Sequence, residues 1–227
     1  MSLNFGQTLF PPRGEQLVNY SFIDIADGTG VVVFYGGTTE SSLVSGARLA
    51  TNKFYSQNVA TTSKKVGQQL AFGKYHDIDF DVDFLMPQNI KGNVVINVPS
   101  GIQINADPGL GSSFINARVR KYNSSGETEL TGSTGVSGAI IVNDGAINTY
   151  VYNMDCIEAT IPLTHFKAGE TLRLTIEMWI RTTDASTDCD FFFGHDPQGR
   201  ATSDGEVNTF GTEPSTLTFQ VPFKLNI

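Results

Sequence analysis

The chain has 227 residues and a formal net charge of −8, from 15 Lys and Arg against 23 Asp and Glu. That length is enough to bury roughly 70% of the unfolded surface, so a core needs no staples. The acidic balance argues against a nucleic-acid backbone as the main partner, which needs clustered Lys and Arg, and no apolar run approaches the ~20 residues of a membrane helix.

Residues 1–16 are polar around Leu9, Phe10, Pro11 and Pro12. Consecutive prolines favour an extended backbone. An N-terminal arm over 1–16, lying on its own domain or on a neighbour, is expected, followed by one domain over 17–227. The opening Met-Ser-Leu-Asn-Phe-Gly-Gln has no basic stretch before an apolar core, so no signal peptide is expected. Strand patterns then follow at residues 17–25, 30–35, 54–61 and 65–72, with an ambiguous 40–52 that could hold a turn of helix.

The most regular stretch is Asp77-Ile-Asp-Phe-Asp-Val-Asp-Phe. A period of two puts Asp77, Asp79, Asp81 and Asp83 on one face and Ile78, Phe80, Val82 and Phe84 on the other. Same-face neighbours on a strand lie about 6.5–7 Å apart. Ligating oxygens around calcium lie within about 5 Å of one another, so a straight ladder makes a poor calcium cage. Adjacent charges at that spacing repel by roughly 0.6 kcal/mol in water, a bearable cost for a solvated face. Asp79 and Asp81 are therefore candidates for a wet face or a contact with a basic partner, and no metal is expected.

Residues 91–98 alternate again, with Val94, Ile96 and Val98 on one face. Residues 114–122 alternate Phe114, Asn116, Arg118 and Arg120 with Ile115, Ala117, Val119 and Lys121. The Gly/Ser/Thr-rich 123–138 reads as a hairpin tip or loop; strands at 139–142, 149–152 and 156–163 follow. The turn Phe166-Lys-Ala-Gly-Glu leads into the longest clean strand pattern. There Leu172, Leu174, Ile176, Met178 and Ile180 share one face, and Thr171, Arg173, Thr175, Glu177 and Trp179 the other. A last strand covers 217–227. Many closely spaced strands broken by Gly and Pro, with no helical periodicity, predict an all-β fold, a jelly-roll-like antiparallel sandwich.

Cys156 and Cys189 are far apart and lack metal or redox spacing; Cys189 reads as a small buried residue. His76, His165 and His195 fall in no metal motif. Gly194-His195-Asp196-Pro197 is the most site-like tetrapeptide; a His–Asp pair could serve catalysis, but such a pair is more often turn chemistry, with Asp accepting backbone N–H bonds ahead of Pro. It opens a long polar stretch to 214, for which Arg200 is the expected cationic anchor. No nucleophile elbow, phosphate loop or usable dinucleotide fingerprint is present, and no cofactor is expected.

The stretch Ala168-Gly-Glu-Thr-Leu-Arg-Leu-Thr-Ile-Glu-Met-Trp, then Gly194-His-Asp-Pro and Phe219-Gln-Val-Pro-Phe-Lys-Leu, resembles structural proteins of tailed bacteriophages. The Phe-Asp-Val-Asp-Phe course within 79–98 is similar. The resemblance touches about half of the chain and carries no catalytic motif. It implies a β-sandwich virion component: a capsid decoration (cement) protein, made in the host cytoplasm and oligomeric. The major capsid protein or other virion subunits would be its partners, and a homotrimer at a threefold position the natural assembly. A tail or fibre component is the close variant. The competing class is a carbohydrate-binding module, for which Tyr55, Tyr75, Tyr122 and Tyr150 could supply aromatic contacts, since the single Trp179 lies in a core-like strand. A hydrolase is the third.

Overall fold

A computed structural model describes residues 29–39, 46–106, 110–144, 147–183, 188–200 and 215–224. Among them are thirteen strands: β1 Thr29–Thr38, β2 Ala47–Ala50, β3 Ala60–Val66, β4 Gln69–Asp83, β5 Gln88–Ala106, β6 Gly111–Asn123, β7 Gly126–Glu129, β8 Val136–Ser137, β9 Ile141–Asn143, β10 Tyr150–Phe166, β11 Thr171–Thr182, β12 Asp188–Gly194 and β13 Thr218–Lys224. The all-β class holds. The expected arm and strand over 1–25 lie outside the described residues.

Ten of the strands form one continuous path, β3-β12-β5-β13-β1-β2-β4-β11-β6-β7; off it, β10 pairs β5, and β8 and β9 pair β6. All pairings are antiparallel except a single parallel bridge between β2 and β4 at Arg48 and Asp81. The 19-residue β5 organises one half. Its first half pairs β13 and its second half pairs β12 along one edge, while β10 runs along the other. In the other half, β11 lies between β4 and β6.

Period-two alternation places one face of each strand in a common core. Ile78 and Phe80 of β4, Leu172, Leu174 and Ile176 of β11, and Ile115, Ala117 and Val119 of β6 meet Val94, Ile96 and Val98 of β5 and Phe219 and Val221 of β13 in one buried cluster. The segment paired with β6 also reaches back to β5 and β10. Ala139 N–H donates to the buried carboxylate of Asp155 on β10 at 3.0 Å, and Asn143 Nδ2 donates to the Ile102 carbonyl of β5 at 3.1 Å.

Several elements depart from the sequence expectation. The ambiguous 40–52 contains the strand β2; residues 40–45 lie outside the described residues. The patterns at 65–72 and 77–84 are split differently: the chain turns at Gly67, whose φ of 83° suits glycine, and β4 then runs unbroken from Gln69 to Asp83. The hairpin tip or loop expected at 123–138 does hold a hairpin turn, from β6 into β7 at Asn123 and Gly126, and carries the short strands β7 and β8 as well. The pieces 149–152 and 156–163 are one strand, β10, because pairing with β5 continues across the polar residues Asn153 and Asp155.

Candidate functional site

The acid row lies on the outer face of β4, and its apolar partners face inward, with Ile78, Phe80 and Phe84 at most 5% exposed. The antiparallel register sets Asp77, Asp79, Asp81 and Asp83 opposite Glu177, Thr175, Arg173 and Thr171 of β11. The same residues of β11 stand opposite Asn116, Arg118, Arg120 and Tyr122 of β6, and Arg120 in turn faces Glu129 of β7. Along the lattice row through Asp81, Arg173, Arg120 and Glu129, the four strands therefore run acid, base, base, acid.

The contacts follow that order. Arg173 binds Asp81 through Nε and Nη2, both at 2.7 Å, a bidentate fork. Its Nη1 lies 3.0 Å from Asp79 and also reaches Glu127. Thr175 Oγ1 donates to Asp79 at 2.6 Å, Thr171 Oγ1 to Asp83 at 2.5 Å, and Arg120 Nε to Glu129 at 3.1 Å. Burial holds the Asp79 carboxyl above its ordinary value, against the opposing pull of Thr175 and Arg173. Asp77 pairs with Lys74 at 2.5 Å. The basic neighbour sought for the aspartates is supplied by the chain itself, so the row needs no external cation. Among the described residues, no three His, Cys, Asp or Glu side chains are grouped to hold a metal ion.

Glu177 is buried within this lattice, with a side chain 2% exposed. Its carboxylate accepts from Asn116 Nδ2 at 2.9 Å, Arg118 Nε at 3.0 Å, Trp179 Nε1 at 3.0 Å and Lys74 Nζ at 3.5 Å. Burial raises its pKa, but the Asn116 and Trp179 hydrogen bonds and the Arg118 and Lys74 charges outweigh it and leave the value low. Sequence alternation placed Glu177 and Trp179 on the same face as Arg173 but carried no sign of their partners, which come from β4 and β6.

The second candidate, at the end of β12, comprises His195, Asp196 and Arg200. His195 and Asp196 are both fully buried. Asp196 turns away from the imidazole. Its Oδ2 accepts from the Arg200 backbone N–H at 2.8 Å and Nε at 2.9 Å, and its Oδ1 from the Gln198 N–H at 3.1 Å. Arg200 Nη2 also donates to the Ser56 carbonyl at 2.7 Å, and its guanidinium lies 4.7 Å over the Tyr55 ring. This ties the segment after β12 to the segment before β3.

His195 Nε2 is 3.0 Å from Thr61 Oγ1, and Nδ1 is buried without a partner. The ring packs against Phe80 and Phe193. Burial lowers its pKa to about 4, so the imidazole is neutral at physiological pH. A hydroxyl beside an imidazole is the pairing a nucleophile and base would use. Here both partners are sealed, Thr61 being 1% exposed, so a substrate has no access to them. Leu9, Phe10, Pro11 and Pro12 lie outside the described residues. Cys189 is buried and its thiol is pushed up to about 11, chiefly by desolvation.

No family model matches the chain, and no curated protein matches it. Among solved structures, it is similar to a CocE/NonD family hydrolase from Staphylococcus aureus, with 14% identity and a TM-score of 0.44, over 86% of this chain and 37% of that one. An aminopeptidase from a marine sediment archaeon, Thaumarchaeota archaeon, matches with 6% identity and a TM-score of 0.44, over 85% and 37% of the two chains. Infectious bursal disease virus, Gx strain, follows with 10% identity and a TM-score of 0.18, over 84% and 43%. The chain spans less than half the length of each, and similarity at these scores carries no statement about activity.

Proposed function

We propose that the protein is a non-enzymatic virion structural protein: a capsid decoration (cement) protein of jelly-roll type bound to the outer shell of a tailed phage. The observation that supports this most is where its reactive groups are engaged. The aspartates of β4 are held by Arg173, Thr171, Thr175 and Lys74. Asp196 is held by Arg200, and His195 is sealed beside Thr61. The polar chemistry of both candidates serves to fix strands and loops, as a protein that works through its outer surfaces requires. The phage resemblance of 168–179, 194–197 and 219–225 points the same way.

The partner is the major capsid protein or another virion subunit, with a homotrimer at a threefold position as the natural assembly. The loop after β4 offers Leu85 and Met86, 63% and 42% exposed, as apolar contacts. Mass spectrometry and cryo-electron microscopy of particles purified from the source culture should find the chain on the shell, in numbers set by the shell symmetry. Finding it on the tail selects the fibre variant; its absence from particles ends the proposal. Removing residues 1–12 should weaken attachment more than it lowers the melting temperature, and equal loss of both would refute an attachment role for the arm. Turnover of polysaccharide substrates by the purified chain would return the hydrolase reading.

A further inference from the structure

Beside the charged lattice, the outer face of β4, β11 and β6 carries an aromatic platform. Trp179 and Phe114 are stacked with centroids 5.9 Å apart and planes 5° from parallel. Phe114 meets Phe72 edge-on at 5.0 Å, and the Arg181 guanidinium lies 4.8 Å over the Phe72 ring. The three rings are half-buried, so each keeps part of its surface open to solvent on a face of the sheet away from the core. Trp179 shares the outer face with Glu177, as the alternation predicts, while Met178 and Ile180 beside it fill the core.

Two further observations set this patch apart from a chance cluster. The indole is fixed: Trp179 Nε1 donates to Glu177, whose carboxylate is itself pinned by Asn116, Arg118 and Lys74. The β4 ladder is also irregular at this point. Met178 pairs with His76 and Trp179 with Lys74, so Tyr75 is an extra residue, and a second shift follows between Ile180 and Thr182. Bulges increase the local twist and re-aim side chains, and they are concentrated near sites. The displaced Tyr75 is held by its hydroxyl, which donates to Gln69 Oε1 at 2.6 Å.

We infer that the Trp179–Phe114 platform is a binding site for a pyranose ring of a neutral oligosaccharide. A pyranose presents a flat C–H face that matches an aromatic plane, together with a rim of hydroxyls that both donate and accept. Aromatic walls with a few fixed polar groups are the general form of such a site. Here Asp77 and Lys74, about 40% exposed in their side chains, provide an acceptor and a donor at one edge, and Arg181 provides donors at the other. Nucleobases also stack on such rings, but the chain's net charge of −8 disfavours a phosphate backbone. Charge thus selects the uncharged ligand. The site is independent of any place in a particle.

The chain has a single tryptophan, so its emission reports on this platform alone. The full chain is titrated with maltopentaose, cellopentaose and chitopentaose, following emission and, in parallel, heat by calorimetry. A saturable change with at least one of them is expected. Calorimetry on Trp179→Ala should then show an affinity loss of about tenfold or more, the worth of one aromatic stacking contact. Trp179→Phe, which keeps a flat ring, should retain most of the binding and guards against a variant that fails to fold. No saturable signal with any of the three sugars overturns the inference. So does unchanged affinity in a folded Trp179→Ala, or preferential binding of oligodeoxythymidylate.

Discussion

Glu177→Ala tests whether the buried carboxylate organises the outer face of β11. The substitution removes the acceptor of three hydrogen bonds of 2.9–3.0 Å, from Asn116, Arg118 and Trp179, at a side chain 2% exposed. Breaking a buried pair by removing one partner costs about 3–5 kcal/mol, because the other charge is left uncompensated. Arg118 and Lys74 keep 19% and 39% of their side-chain surface in water and can partly resolvate. The expected cost therefore lies at the low end, about 3 kcal/mol. For a chain of this size each kcal/mol shifts the melting temperature by about 2–4 °C, so Tm should fall by roughly 6–12 °C. Glu177→Gln keeps the shape but puts an NH2 against the donors of either Arg118 and Lys74 or Asn116 and Trp179, and should cost about 1–3 kcal/mol. Scanning calorimetry of the three proteins reads both values. A melting temperature for Glu177→Ala within about 2 °C of the parent would refute the reasoning, since that shift corresponds to no more than about 1 kcal/mol.

Other outcomes follow from the same geometry. Because the folded pKa of Glu177 is lowered, its contribution is present above the ordinary carboxylate range and lost as pH falls through the lowered value; the gap between parent and Glu177→Gln should close on acidification. His195 has a folded pKa near 4 against an ordinary 6.5, so stability is intact above 6.5 and declines as pH falls towards 4, by about 3 kcal/mol in all. Urea melts of His195→Gln should lack that part of the acid dependence, and a parallel decline in both proteins would contradict it. Asp155 is the opposite case: burial, the largest cause, raises its pKa. The stabilisation from its proton is complete below the ordinary value and disappears as pH rises through the raised one, so Asp155→Asn should gain on the parent between acid and neutral pH. Calcium should leave the melting temperature of the parent and of an Asp79→Asn, Asp81→Asn double variant unchanged, because Arg173 and Thr175 already occupy those carboxylates; a large calcium-induced rise would show that an ion displaces them.

Alternation alone fixed which side chain of each strand faces the core. Ile78 and Phe80, Val94 to Val98, Ile115 to Val119 and Leu172 to Ile180 all read correctly, because a strand's two faces differ in every second residue and one of them must be dry. The same period placed Asp79, Asp81, Arg173, Glu177 and Trp179 on outer faces, and the turn before Thr171 was legible from Gly169, whose φ is 83°. What no local pattern could supply is register. Asp81 meets Arg173, and Glu177 meets Asn116 and Arg118, across strands separated by 92, 61 and 59 residues in sequence. A shift of one residue would turn each of these side chains to the other face. Whether four aspartates form a metal ladder, a bare acidic edge or a neutralised lattice was therefore decided by tertiary pairing. The same pairing put Trp179 beside Phe114 on the outer face and sealed His195 against Thr61.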